Sequence, residues 1–300
     1  MANSFTIKTI RVTFTLGKGA FPGDRDPFSK SGRVKTIEGL ACDVVIDKPG
    51  PPQKNSATVT VWGLSPESMG LLAMLAFKPL ESHHNLISIV AGDKDGSTSR
   101  AFKGEITRAY ADFSGVPNTC MHFEASSGTY PQQKRSHTLT INGEAPVDNL
   151  FKMFAHEAGY AYSNQGVTGS VGNSWYPGTP VEKMAKLARD IGCDMFIDDG
   201  LVVVLPKDKP RRGDTIFLSA ANGMIGYPSF NNDGISCRCL YHPGLRYGGL
   251  VRVKSVVAGA SGLWRITGLS HHLSAYNPHG GPWESRIQAV PVERRPLQAP

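Results

Sequence analysis

Cysteine, histidine and carboxylate side chains are the groups that could ligate a metal or attack a substrate, and the chain holds 5 cysteines and 9 histidines. Their densest grouping is the stretch ISCRCLYH, which brings Cys237, Cys239 and His242 together, with His271 and His272 farther along. Tetrahedral zinc takes four ligands among thiolate, imidazole and carboxylate, usually from CxxC-type turns. Cys237 and Cys239 are two apart, so on a strand their side chains share a face and joint ligation is open to them. His242 precedes the turn signal Pro243-Gly244 and could fold back. His271 and His272 are consecutive, so on a strand at most one points the right way. The competing reading is packing: Ile235, Cys237 and Cys239 alternate with Ser236, Arg238 and Leu240, and cysteine is a small, often buried hydrophobe. The alternation favours packing.

Other chemical signatures are incomplete. His156-Glu157 begins an HExxH pattern, but Tyr160 stands where the second histidine belongs. There is no GxSxG elbow and neither a GxGxxG nor a GxxxxGK[ST] phosphate loop. Asp198-Asp199 with Gly200 reads as a hairpin turn, Asp24 and Asp26 fall in a loop, and His83-His84 sit beside a turn. No nucleophile or metal set can be assembled, so no catalytic, cofactor-binding or metal residue is expected, and the chain reads as a non-enzyme. The net charge of +7 would suit a nucleic acid. The basic residues are scattered, however: the nearest approaches to clusters are Lys134-Arg135, Arg211-Arg212 and Arg294-Arg295, none interleaved with stacking aromatics. The N-terminus has no basic segment followed by an apolar one. The apolar run from Leu71 to Phe77 is far short of the roughly 18 residues that cross a bilayer, so no membrane anchor is expected. An odd number of dispersed cysteines fits synthesis in a reducing cytosol better than a disulfide framework.

The elements that would position these groups are mostly strands. Residues 10–16 alternate with Ile10, Val12, Phe14 and Leu16 on one face, 40–46 with Leu40, Cys42, Val44 and Ile46, and 57–62 is rich in β-branched residues. Ser65-Pro66 starts a short helix over 66–75, and strands follow near 86–91, 100–112 and 119–125. The pattern changes near residue 137. Val147, Leu150, Phe151, Phe154, Ala155 and Ala158 form one helical face closed by Gly159. Thr179-Pro180-Val181-Glu182 is a capping box with proline at the first helical position, opening a helix whose face is Val181, Met184, Ala185, Ala188 and Ile191. A hairpin over an Asp-Gly turn follows, joining 195–197 to 201–205. From 213 to 292 the chain is strand-like again. The fold class is thus mainly β with an α+β insert. Its three domains are 1–136, a β-barrel with one short helix; 137–210, a small α+β module; and 211–300, a second barrel with a C-terminal tail. The loop at 17–33 is long for a compact domain and is expected to be ordered by a partner, with Phe21 and Phe28 to dock.

Two features together resemble a known family. Asn55 to Ser65, NSATVTVWGLS, is similar to the strand-then-helix element in the tube-like N-terminal barrel of tailed-bacteriophage hub proteins. The run Ile225-Gly226-Tyr227-Pro228, Gly234 to Leu240, Gly249 to Val253 and Gly262 to Ile266, then His271 and Trp283, resembles the last barrel of central baseplate hub proteins. The resemblance implies a ring-forming, non-enzymatic virion protein of the tail tip or baseplate, made in the host bacterial cytoplasm. It implies a homotrimer whose paired tube-like barrels give a pseudo-sixfold ring between the sixfold tail tube and a threefold spike or fibre. Implied partners are a tail-tube or distal tail protein, the tail spike or fibre, baseplate wedge and tape-measure proteins, with DNA as passing cargo, and the loops at 17–33, 163–178 and 271–283 would be contact devices ordered on assembly. The rival expectation is a metal-dependent cell-envelope hydrolase using Cys237, Cys239 and His242.

Overall fold

The computed structural model describes residues 6–17, 34–73, 85–129, 136–278 and 280–292. Asp24, Asp26, His83-His84, Lys134-Arg135, Arg294-Arg295, the expected loop beyond residue 17 and the tail from 293 lie outside the described residues, as do positions 74–75 of the expected first helix. The first third contains β1 (Lys8–Thr15), β2 (Val34–Glu38), β3 (Cys42–Lys48) and β4 (Ser56–Trp62). Helix α1 (Pro66–Ala73) and strands β5 (Leu86–Asp93), β6 (Thr98–Asp112) and β7 (Cys120–Ser126) follow. Period-two burial sorts each strand: Ile10, Val12 and Phe14 of β1, Val44 and Ile46 of β3, Val59 and Val61 of β4, and Met121 and Phe123 of β7 all turn into one core. The Ser65 hydroxyl accepts the Ser68 amide at 3.2 Å, capping α1 so that Met69 and Leu72 reach that core.

All pairings here are antiparallel, in the order β2-β1-β5-β6-β7-β4-β3. β1 and β7 are separated in that ladder by two strands, yet the Phe14 and Phe123 rings lie 4.6 Å apart. The sheet therefore curls until its faces meet. Full burial of such a side chain is worth about 1.5–3 kcal/mol, which is ample to hold the curl.

The middle of the chain carries β8 (Leu139–Thr140), β9 (Glu144–Pro146), α2 (Val147–Ala158), β10 (Ala161–Asn164), β11 (Ser170–Gly172) and β12 (Trp175–Tyr176). After them come α3 (Pro180–Ile191), β13 (Cys193–Asp198) and β14 (Leu201–Pro206). Both helices follow their sequence signals. Thr179 and Glu182 make the reciprocal capping box on α3, and Gly159 and Gly192 end α2 and α3 in the left-handed region at φ 83° and 69°. Their apolar faces pack on the β10-β14-β13 sheet through Phe151, Phe154, Met184, Leu187, Val202 and Val204. Leu187 was not among the expected core residues, and Ala185 and Ile191 are only half-buried. The expected contact loop 163–178 holds the end of β10 together with β11 and β12, which pair with β9 and β8.

The last third contains β15 (Ile216–Leu218), β16 (Met224–Phe230), β17 (Ile235–Leu240), β18 (Leu250–Val253), β19 (Gly262–Ala275) and β20 (Trp283–Pro291). Its core gathers Ile235, Cys237 and Cys239 of β17 with Val251, Ile266, Leu269 and Ile287. β19 is 14 residues long and serves two regions at once. One edge pairs with β20; the other pairs first with β18 and then, from Leu269 to Ala275, with β3. This corrects the expectation of a loop over 271–283. Residues 271–275 are strand because β3 offers them an otherwise open edge and because His271 and Leu273 alternate inward against an outward His272. The chain is mainly β with an α+β insert, and its two β regions are one continuous 13-stranded sheet. Among the described residues the main path of the ladder runs from β16 to β2, and its curvature encloses the two cores.

Candidate functional site

The residues singled out in the sequence do not converge. Cys237 and Cys239 face the core between Ile235 and Ile287, and burial pushes their thiols up to about 11 and about 12, which keeps them protonated at neutral pH. His242 is used locally: its Nδ1 accepts the Gly244 amide at 3.0 Å, shaping the turn. His271 is buried with Nδ1 2.7 Å from the Ser285 hydroxyl and the Tyr241 ring edge-on at 5.1 Å. Burial, with Lys48 nearby, lowers its pKa to about 3, so it stays neutral. His272 points outward to Asp43 at 3.1 Å. Glu157 pairs with the buried Lys183 of α3, which also donates to the His137 carbonyl and is linked to Ser136. The pairing ties α2 to α3. Tyr160, the residue that interrupts HExxH, donates its hydroxyl to Glu105 of β6 at 2.5 Å.

Asp198-Asp199 does form the predicted turn, with Asp199 and Gly200 at φ 54° and 86°. It also does something the sequence did not announce. Lys48, the last residue of β3, donates to Asp198 Oδ1 at 3.0 Å and to Asp199 Oδ2 at 2.9 Å. Arg211, from the segment leaving the middle region, donates to Asp198 Oδ2 at 2.7 Å, and its own amide donates to the Gly248 carbonyl. The Lys103 amide of β6 donates to Asp199 Oδ1 at 3.0 Å, and Asn55 donates to the Ile197 carbonyl at 3.0 Å. Lys48, Asp198 and Arg211 are only 5%, 5% and 7% exposed. Two cations balance two carboxylates in a nearly dry joint. Burial works against the Asp198 charge, but Lys48 and Arg211 outweigh it and hold its carboxyl well below the usual carboxylate range. Asp199 is pushed upward by burial, with Asp198 adding like-charge repulsion. Lys48 is raised because the pull of both carboxylates exceeds the cost of its burial.

An apolar contact stands beside this ionic joint. Tyr247 of the last third packs edge-on against Phe196 of β13 at 4.9 Å. On its other side lies Gly50, just after β3, at φ 82°; a Cβ there would lie 2.0 Å from the tyrosine ring. First, middle and last regions meet at this point. A cleft of about 370 Å³ runs alongside, between Pro51–Lys54 on one wall and Val181, Ala185 and Ala188 of α3 on the other. The joint can bind, position and resist rotation; its charged groups are saturated by one another.

The sequence matches the family model described as baseplate hub gp41 over residues 9–277, nearly the whole chain and both β regions. The chain belongs to the baseplate hub gp41 family. Sequence comparison with curated proteins gives no significant match. Among solved structures, the hub chain is similar to a tail protein from Neisseria meningitidis MC58, with TM-score 0.60 and 12% identity over 94% of this chain and 96% of that one. It is similar to a 43 kDa tail protein of prophage MuSo2 from Shewanella oneidensis, with TM-score 0.58 and 11% identity over 94% and 97%. A component of the E. coli type VI secretion system, itself described as similar to T4 bacteriophage tail proteins gp27 and gp5, matches with TM-score 0.58 and 10% identity over 87% and 77%. At these identities the likeness is one of fold. The hub chain exposes large apolar side chains on its last region, with Phe217 on β15, Tyr227 and Phe230 on the end strand β16, Leu240 on β17 and Val256 after β18. No helix among the described residues is long and apolar enough to cross a membrane.

Proposed function

We propose that this hub chain acts as a non-enzymatic symmetry adaptor. Three copies close a pseudo-sixfold ring between a sixfold tail tube and a threefold spike or fibre, and leave a channel through which DNA passes. In this reading the chain divides into parts 1–136, 137–210 and 211–300, and the first and last parts each supply one unit of the ring. The observation that carries the reading is that the family match spans both β regions, which the structure joins into one sheet through β19. Two linked β units per chain supply the arithmetic of three chains and six positions. Tyr227 and Phe230, each exposed on the end strand β16, support it further, because aromatic residues are enriched at interfaces. The partners are a tail-tube or distal tail protein above, a spike or fibre below, and wedge and tape-measure proteins at the rim and lumen. The chain is made in the bacterial cytoplasm and ends in the virion tail tip.

Mass measurement in solution tests the proposal, on the chain alone and mixed with the tail-tube protein of the same phage. A threefold species, alone or on the tube, is expected. A chain that stays monomeric across concentration and in the presence of tube and spike proteins would overturn it. An envelope hydrolase built on Cys237, Cys239 and His242 is not favoured, since two of these face the apolar core and the third shapes a turn.

A further inference from the structure

A second group of metal-competent side chains sits at the turn end of the β6–β7 hairpin. Asp112 is the last residue of β6 and Cys120 the first of β7, and they are direct cross-strand partners. His122 lies two residues on, so it shares a face with Cys120. One ligand atom from each of Asp112, Cys120 and His122 lies within 4.8 Å of the others, and Cys120 Sγ is 3.2 Å from His122 Nε2. Tetrahedral zinc with a sulfur near 2.3 Å and a nitrogen near 2.0–2.1 Å places those two atoms about 3.6 Å apart. The sulfur and nitrogen need to separate by a few tenths of an ångström, and the carboxylate, already within 4.8 Å of both, to settle at a similar distance, which side-chain rotamers at the hairpin end allow.

The surroundings support ligation. A ring that binds metal through Nε2 carries its proton on Nδ1, and metal-bound histidines almost always donate that proton to a neighbour. Thr60 of β4, the cross-strand partner of His122, places its hydroxyl 3.0 Å from Nδ1. Tyr110 stacks on the imidazole at 4.9 Å and 25°, and Arg108 lies 4.7 Å above Tyr110, so the ring plane is held. The Ser114 amide and hydroxyl both donate to Asp112 Oδ1, which orients the carboxylate and leaves Oδ2 for a ligand role. Cys120 is buried while Asp112 and His122 are half-exposed, so an ion can enter from solvent and keep a water in its fourth position.

We propose that Asp112, Cys120 and His122 form a zinc site that clips the β6 and β7 strand ends together. Zinc displaces the thiol proton, which leaves to solvent; thiolate and carboxylate then neutralise the ion. Thiolate with imidazole selects zinc over magnesium or calcium, which prefer all-oxygen shells. The proposal is independent of the ring reading above, because it concerns one chain.

The test uses the full-length, tag-free chain with zinc and cobalt(II) as probes. One equivalent of zinc is expected to bind with net proton release, and the cobalt form is expected to show a thiolate-to-cobalt charge-transfer band. Cys120→Ser should abolish that band, His122→Gln should weaken zinc binding at least tenfold, and Thr60→Val should weaken it by roughly 10–100-fold. Circular dichroism on each variant checks that it has folded. Absence of the band in the folded wild-type chain, its persistence in Cys120→Ser, or equal zinc affinity of wild type and His122→Gln would overturn the site and leave a simple thiol–imidazole hydrogen bond.

Discussion

Lys48→Met removes the cation that both carboxylates of the buried joint share. Lys48 contacts Asp198 and Asp199 at 3.0 and 2.9 Å. At an effective dielectric of about 20, such contacts are each worth on the order of 4–5 kcal/mol before desolvation is counted. Methionine nearly preserves the volume and recovers the cost of burying the ammonium. It leaves Asp198 with Arg211 alone and Asp199 with only the Lys103 amide from outside its own turn. Breaking a buried pair in this way costs about 3–5 kcal/mol, a drop in melting temperature on the order of 10 °C for a chain of this size. Two further readouts separate this explanation from a packing defect. Asp198 is depressed in the folded chain, so its contribution is present above the unfolded carboxylate value near 3.9 and is lost as pH falls through the lower folded value. Without Lys48 that depression shrinks, so the gap between wild type and variant must narrow as pH falls below about 4 toward the folded value. A second change, Asp199→Asn, keeps the left-handed turn residue and removes the uncompensated charge. The double variant should therefore be more stable than Lys48→Met by about 1–2 kcal/mol. Urea unfolding followed by tryptophan fluorescence measures all three. A loss below about 1 kcal/mol, a gap that does not change with pH, or an additive double variant would refute an electrostatic joint.

Three other outcomes follow from the same geometry. Gly50→Ala combines a left-handed φ of 82° with a Cβ lodged in the Tyr247 ring, and should cost about 2–4 kcal/mol in thermal unfolding; Tyr247→Ala should recover part of that cost in the pair. Thr179→Ala removes the hydroxyl that accepts the Glu182 amide at 3.3 Å and should cost about 1 kcal/mol in urea unfolding, with no change in zinc binding at the distant hairpin. His271 is lowered to about 3, so below the unfolded value near 6.5 the unfolded chain takes up a proton that the folded chain refuses, and stability falls by up to about 1.4 kcal/mol per pH unit from this group. His271→Asn, which keeps a partner for Ser285, should flatten the stability–pH slope between 6 and 4 by close to one proton, and an unchanged slope would refute the assignment.

Local chemistry was readable because its causes are local. The capping box at Thr179, the glycine stops at Gly159 and Gly192 and the Asp199-Gly200 turn depend on neighbours within a few residues, and each lies where its pattern put it. Alternation also placed Cys237 and Cys239 in a core correctly, against their appearance as ligands. Pairing between remote strands left no such trace. Residues 271–275 read as the start of a loop because histidines, serines and a later proline dilute the apolar signal; the partner that makes them strand is β3, more than two hundred residues earlier. Lys48 is a plain lysine at a strand end, Arg211 half of one of several scattered basic pairs, and Asp198 half of a turn. Only the fold gives these three one address. The signal that was available was weak: a basic linker and an acidic turn close in sequence, beside a segment rich in buried valines. The hairpin triad was divided in the same way, with Asp112 separated from Cys120 and His122 by a turn and its ligand spacing visible only across the ladder.

The two kinds of connection in this chain differ in what they allow to move. First and last regions share a backbone ladder through β19, so changing their mutual angle means breaking seven residues of strand pairing with β3. At about 0.5–1.5 kcal/mol net per hydrogen bond, and with packed cores on both sides, that is not a hinge. The middle region keeps its own small sheets and joins the rest by side chains: Lys48 and Arg211 on Asp198, Glu105 on Tyr160, and Tyr247 on Phe196. Such contacts can be exchanged for others at similar cost when a partner supplies them, whereas a ladder cannot. The ladder of β19 with β3 is the connection that cannot be remade, and the buried joint of Lys48, Asp198 and Arg211 is the one built of side chains alone.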